Sequence, residues 1–185
     1  MDNGAVCRWL SGARAGRAMP KLSAGLLLYR TAAEGEVQVL LVHPGGPIWA
    51  RRDGGVWSIP KGEYAEGEDP LGRAEVEFEE ELGSRAPGGE RVDLGEVRQA
   101  GGKRVRAWAA AGDLDADATT SNTFEMEWPL GSGVVQSFPE VDRAGWFSVE
   151  EARTKLIAGQ LPLLDRLLDA LQTENSGRAQ EGPDR

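Results

Sequence analysis

The sequence predicts a mixed α/β domain, and three observations carry that expectation. Two Leu- and Val-rich runs, 22–29 and 36–43, are separated by a short polar stretch and read as strands joined by a turn. A helix with its own start and stop signals follows over 70–82. A second pair of strand-like runs, 92–99 and 103–111, flanks Gly101-Gly102 as a hairpin. The chain has 185 residues, which is one domain's worth, since domains usually run ~100–200 residues.

Each element follows from local chemistry. The first 18 residues are rich in Gly and Ala and carry Arg8, Arg14 and Arg17 against one acid, Asp2. They lack the ~7–15 apolar residues of a signal-peptide core and are expected to be a disordered extension. Met19, directly before Pro20-Lys21, reads as the start of the ordered domain and as a candidate initiator. The domain is expected over 19–172, and 173–185, polar with Gly, Pro and Ser, reads as a disordered, frayed tail. Pro44-Gly45-Gly46-Pro47 and Asp53-Gly54-Gly55 turn the chain, and 56–59 is expected as a short strand ending at Pro60. Asp69 caps the helix, Pro70 occupies its first position and Gly83 stops it. An acidic loop spans 113–122, and 124–128 reads as a short strand or loop edge. Ser148 and Glu151 form a capping box ahead of a further helix. Leu163, Leu164, Leu167, Leu168 and Leu171 recur at helical spacing and close the domain.

Composition excludes several classes. Acids outnumber bases 30 to 21, for a net charge of −9. Such a surface repels duplex phosphates, so a nucleic-acid duplex is not an expected partner. A phosphorylated substrate accompanied by a divalent metal is not excluded. No run approaches the ~20 apolar residues of a membrane span. Cys7 is the only cysteine, which rules out an intrachain disulfide and a Cys-based zinc site. His43 is the only histidine, and no Gly-x-Ser-x-Gly elbow accompanies it. Neither Cys7 nor His43 is expected to be catalytic. With no targeting signal, the cytoplasm is the default location, and a homodimer is left open.

The helix over 70–82 carries Glu75, Glu77, Glu79, Glu80 and Glu81. Like charges three or four residues apart each cost a few tenths of a kcal/mol, so the cluster asks for compensation. At about 100° per residue, Glu81 lies about 40° to one side of Glu77 and Glu80 about 60° to the other. Leu71, Ala74, Phe78 and Leu82 form an apolar stripe centred about 100° round, while Glu75 and Glu79 fall beyond it into solvent. Three carboxylates sharing a face beside a buried stripe suit Mg²⁺ or Mn²⁺, hard cations that prefer oxygen ligands. The plain alternative is a solvated acidic face.

The spacing decides between these. Gly62, Glu68, Glu77, Phe78, Glu80, Glu81 and Gly83 stand at the positions of the Nudix hydrolase signature, G-x5-E-x7-R-E-U-x-E-E-x-G-U with U apolar. This segment therefore resembles that signature, with two departures. Val76 stands in place of its arginine, and Ser84 in place of its last apolar residue. Arg73, four residues before Glu77, is positioned to orient the helix carboxylates instead. The likeness extends over the segments 22–30, 57–62 and 138–147, and covers about 21–171. The blocks 43–47 and 121–129 resemble a bacterial subgroup labelled predicted NTP pyrophosphohydrolases.

The resemblance implies an α/β/α sandwich with a mixed β-sheet. It also implies a divalent-metal-dependent pyrophosphohydrolase, using Mg²⁺ or Mn²⁺, that cleaves a phosphoanhydride in a nucleoside diphosphate linked to another group. Glu77, Glu80 and Glu81 are the implied metal ligands, with the Gly62 carbonyl. Glu68 orients the helix carboxylates or holds an outer metal. Glu80 is a candidate general base, and a remote acid joins the site in such proteins: Glu125 and Glu127 rank first, Glu140 next. The Pro60-Lys61-Gly62 sequence resembles members acting on dinucleoside polyphosphates or diphosphoinositol phosphates more than those acting on nucleoside triphosphates, many of which have Gly in place of this Lys. Lys61, Arg51 and Arg52 are candidate contacts for a phosphate chain. Trp49, Tyr64, Phe124 and Trp128 are candidates to stack on a base, whereas Trp57, on a strand-like run, reads as core. The rival expectation is a Nudix-fold nucleotide-binding or regulatory module with weak or no turnover.

Overall fold

The structure, a computed structural model, describes residues 21–180. The 18-residue extension, Cys7, Met19 and the last five residues lie outside the described residues. The first two strands are β1 (Leu22–Thr31) and β2 (Val37–Pro44), followed by the short β3 (Lys61–Glu63) and the helix α1 (Pro70–Leu82). The hairpin β4 (Val92–Arg98) and β5 (Arg104–Ala111) comes next. After it come β6 (Thr123–Glu127), β7 (Val135–Pro139), β8 (Val141–Ser148), α2 (Val149–Lys155) and α3 (Leu161–Gln180).

Six strands form one mixed sheet in the order β4-β5-β1-β2-β8, with β3 joined to β1. β1 and β5 run parallel, in register from Leu22↔Arg104 to Tyr29↔Ala111, while the other pairs are antiparallel. One edge of β1 serves two partners. Its first half pairs with β3 (Ala24↔Gly62) and its second half with β2 (Tyr29↔Val39). The segment between β2 and β3 therefore leaves the sheet and returns to it beside the start of β1. That divergence opens the cleft described below.

Side chains alternate across the sheet and build two cores. Leu26, Leu28, Leu40 and Val42 pack with Ala74, Phe78 and Leu82 of α1 on one face. Leu27, Val39 and Leu41 pack with Trp57, Leu156, Leu163, Leu164 and Leu167 beneath α2 and α3 on the other. The result is the expected sandwich of helices around a mixed sheet. α1 begins and ends where its signals place it. The Asp69 carboxylate accepts from the Leu71 and Gly72 amides, and Gly83 takes the left-handed conformation that favours glycine. The Ser148–Glu151 capping box is also present.

Two expectations change, over 56–59 and at the end of α3, and a third, over 124–128, resolves to one of its two alternatives. The predicted strand over 56–59 is only two isolated bridges, Trp57 to Leu156 and Ser58 to Val42. The backbone there is engaged elsewhere: the Trp57 amide donates to the Lys155 carbonyl and the Ile59 amide to the Gln160 side chain. The ladder forms after Pro60 instead, as β3. The segment over 124–128 is a true strand, but β6 pairs only with β7, in a two-stranded sheet separate from the main one. α3 also runs on to Gln180, through residues expected in the tail. After Pro162 in its first turn no proline occurs before residue 183, and the Thr173 and Ser176 hydroxyls bond back to carbonyls four residues earlier.

Candidate active site

α1 delivers its carboxylates as the helical phase dictates. Glu77 and Glu81 are buried, Glu80 is partly exposed, and Glu75 and Glu79 lie on the outer side, where they pair with Arg91 and Arg85. Glu77 and Glu81 line a cleft of about 410 Å³ together with Gly62 and Lys61 at the start of β3. Pro44, Gly45 and Trp49 form the wall left by β2, Phe124 of β6 faces them, and Glu63, Lys103 and Glu140 complete the lining.

Gly62 is required by contact. A Cβ there would lie 1.7 Å from Cδ of Glu77, so only glycine lets the buried carboxylate approach the β3 backbone. The Lys61 amide donates to the Glu81 carboxylate at 3.2 Å. Arg73 donates to Glu77 and lies 3.5 Å from Glu80. Val76 itself is 44% exposed on the outer side.

The electrostatics are uneven. Burial pushes the Glu81 carboxyl up to about 7 and outweighs the Lys61 charge and amide beside it. Burial also raises Glu77, against the pull of Arg73. Glu140 adds to the repulsion on both. Lys103 is driven down by burial and by the neighbouring Lys61. Two cations, Lys61 and Lys103, and four carboxylates, Glu63, Glu77, Glu81 and Glu140, thus share one cleft.

The donor chemistry fits a hard divalent cation. The cleft collects carboxylate oxygens, those of Glu77 and Glu81 held above their ordinary proton affinity by burial, and Gly62 makes the room Glu77 needs. Among the described residues, however, no three acidic, histidine or cysteine side chains already converge as a finished ligand set. In this state Glu77 is turned to Arg73, and Glu81 to the Lys61 amide.

The remaining predicted residues separate. Glu68 is exposed and accepts from the Ala65 amide at 2.7 Å, outside the cleft lining. Glu125 is exposed, and Glu127 accepts from the Gly133 amide at 2.5 Å, tying the β6–β7 turn. Neither belongs to the cleft lining, whereas Glu140 does. Arg51 and Arg52 are exposed, with the Arg52 guanidinium 5.4 Å from the Trp49 ring centre. Trp128 is outside the lining, and Tyr64 packs against the core beneath α1. Trp57 is buried and donates to Asp53 at 3.1 Å. Sequence reasoning missed Lys103 and Glu63. No local pattern marks them: the parallel pairing of β5 with β1 brings Lys103 within 3.6 Å of Glu63.

A NUDIX domain model matches residues 19–167. The chain belongs to the NUDIX family. It is accordingly a hydrolase of phosphoanhydride bonds, in a family that generally uses divalent metal cations. The NUDIX fold is shared with solved structures. An Ap4A hydrolase binary complex from C. elegans matches at TM-score 0.57 and 22% identity, covering 82% of this chain and 98% of that one. The NUDIX domain of Shewanella oneidensis NrtR, complexed with ADP ribose, matches at TM-score 0.58 and 17% identity, covering 83% and 89%. RenU, a Nudix hydrolase from M. smegmatis, matches at TM-score 0.51 and 25% identity, covering 82% and 85%. Among curated proteins, none matches. Among the described residues no helix is long and apolar enough to cross a membrane.

Proposed function

We propose that the cleft hydrolyses a phosphoanhydride in a nucleoside diphosphate linked to another group, with dinucleoside polyphosphates and nucleoside triphosphates as the leading substrates. One observation carries this reading: Glu77, Glu81 and Glu140 share a single cleft with Lys61 and Lys103, between Trp49 and Phe124. Carboxylates suit a divalent cation, the lysines suit a phosphate chain, and the aromatic pair suits a base. The similar structures, which include an Ap4A hydrolase and a NUDIX domain complexed with ADP ribose, support the same reading.

Glu77, Glu80 and Glu81, with the Gly62 carbonyl, would hold Mg²⁺ or Mn²⁺. Bound there, the ion would lower the pKa of attacking water and neutralise phosphate oxygens. Lys61 and Lys103 would bind the non-bridging oxygens of the chain. Glu80, partly exposed and beside Arg73, and Glu140, in the cleft lining, would be the two candidates to take a proton from water. Glu140 now ranks above Glu125 and Glu127, because it alone of the three lines the cleft.

A second reading, a nucleotide-binding module with little turnover, draws on Val76 and on the grip of Arg73 on Glu77. One assay separates them. Phosphate or nucleotide release is measured with diadenosine polyphosphates, nucleoside triphosphates, ADP-ribose and a diphosphoinositol phosphate, in Mg²⁺ or Mn²⁺. Turnover lost in Glu80→Gln and Glu77→Gln supports the hydrolase. Metal and nucleotide binding without turnover on any member supports the module.

A further inference from the structure

The mechanism above makes no use of His43, yet it is one of the few polar side chains with no exposure at all. It is the penultimate residue of β2, next to Pro44 on the wall of the cleft. Its Nδ1 lies 2.6 Å from the Asp142 carboxylate and its Nε2 lies 2.7 Å from the Arg52 carbonyl. Both partners are acceptors. Each ring nitrogen thus has one partner at hydrogen-bonding distance. The ring also meets Trp57 edge-on, at 5.1 Å between centres, which holds it in place.

The Arg52 contact is the informative one. Residues 46–52 form a tight excursion from the sheet, closed by the Trp49 amide on the Gly46 carbonyl and the Arg52 amide on the Trp49 carbonyl. Trp49, at its centre, is the aromatic group on this wall of the cleft. Arg52 sits at its end, with its carbonyl held by His43 and its guanidinium over the Trp49 ring. One buried side chain thus joins the far end of the loop to β8 through Asp142, and Asp142 is itself braced by Arg143 at 3.4 Å.

The geometry points to His43 as a positioning residue. With Asp142 it anchors the 46–52 loop and so sets the pose of Trp49 against a bound nucleotide base. This rests on the reading of the cleft as the nucleotide site. His43 acts through the loop and touches no reacting atom, so its effect belongs to substrate binding and not to the chemical step.

The test uses the full chain. Replacing a fully buried His43 endangers the core, so the main variant is Asp142→Asn, at a partly exposed position, with His43→Gln as the second. Amide hydrogen exchange over residues 46–52 is read by mass spectrometry, and KM and kcat are measured for diadenosine tetraphosphate with Mg²⁺. The expected result is exchange in 46–52 faster by about tenfold, with the α1 segment unchanged. KM should rise several-fold while kcat holds within about twofold. In a Trp49→Ala background, Asp142→Asn should raise KM no further, because both changes act through one contact. Wild-type exchange in 46–52 in both variants would overturn the proposal. So would a fall in kcat as large as the rise in KM, or KM effects that multiply in the double variant. If the wild-type protein turns over no substrate, the proposed function fails, and the exchange measurement alone decides the anchor.

Discussion

Glu81 shows what a single buried carboxylate imposes on this protein. Its folded pKa is raised to about 7 from an ordinary 4.5, with burial as the main cause. The folded state therefore keeps a proton that the unfolded chain has already released between those values. The sign follows: without metal, stability is fullest below about pH 4.5, falls as pH rises through the window, and levels off above 7. Glu81→Gln should flatten this dependence and add up to about 3 kcal/mol near pH 8, read from denaturant melts in EDTA. Arg73 is the second residue whose role is local. It is partly exposed, and it pairs with Glu77 while lying close to Glu80. We expect Arg73→Ala to lower kcat about 10–100-fold, as loss of a group orienting metal ligands does. The stability cost should be about 1–3 kcal/mol, because Arg73 is only partly exposed and its removal leaves the buried Glu77 carboxylate without this partner. Arg73→Lys should fall between the two. Full activity in Arg73→Ala would show that the signature's arginine has no replacement here.

At the scale of elements, α1 does two jobs with two faces. Ala74, Phe78 and Leu82 bury one face on the sheet, and Glu77 and Glu81 bury the edge next to it. The helix can carry this repulsive cluster because its ends are well terminated and its outer glutamates have arginine partners. Asp69→Ala removes the acceptor for two first-turn amides and should cost about 1 kcal/mol of stability, within the usual 0.5–2 kcal/mol for a cap. Phe78→Ala should cost about 3–5 kcal/mol, since a fully buried aromatic leaves a cavity that the sheet cannot fill. Thermal or denaturant melts check both. Activity lost in Asp69→Ala beyond what its melt explains would show that the cap also sets the depth of Glu77. β3 is the other element with a double role. Three residues long, it places Lys61 and Gly62 on the cleft while extending the edge of β1.

For the whole molecule, the acidic surface and the two-lysine cleft are best understood together. The net charge of −9 disfavours nonspecific polyanion binding, so anion affinity is concentrated where Lys61 and Lys103 stand. A divalent ion should relieve the repulsion among Glu77, Glu81 and Glu140. Mg²⁺ at about 100 times its dissociation constant should stabilise the fold by about 2–3 kcal/mol at pH 8. The gain should shrink at pH 5.5, where protonated carboxylates no longer bind it. A thermal-shift series with and without Mg²⁺ at both values checks this, and an equal shift at both would argue against the cleft as the metal site.

Much of this was legible in the chain itself. The Asp69 cap, the Pro70 start, the Gly83 stop and the phase of the glutamates depend on contacts within a few residues, so local sequence determines them. Gly62, Glu77 and Glu81 follow from that spacing and meet in the cleft. The companions of these residues were not legible in the same way. Lys103 reaches the cleft only because β5 lies parallel to β1, a pairing across about eighty residues that no local pattern encodes. Glu140 lines the cleft while Glu125 and Glu127 do not, because β6 pairs with β7 alone and leaves both glutamates off the cleft wall. His43, read from sequence as a strand end without a role in the chemistry, is bonded at both ring nitrogens by groups that only the folded β2–β8 pairing and the 46–52 loop bring to it. Sequence alone determined the family signature and the helix that bears it, because periodicity and capping are short-range. Tertiary structure alone decided which distant charges share the cleft, because strand order and register are set by burial over the whole sheet.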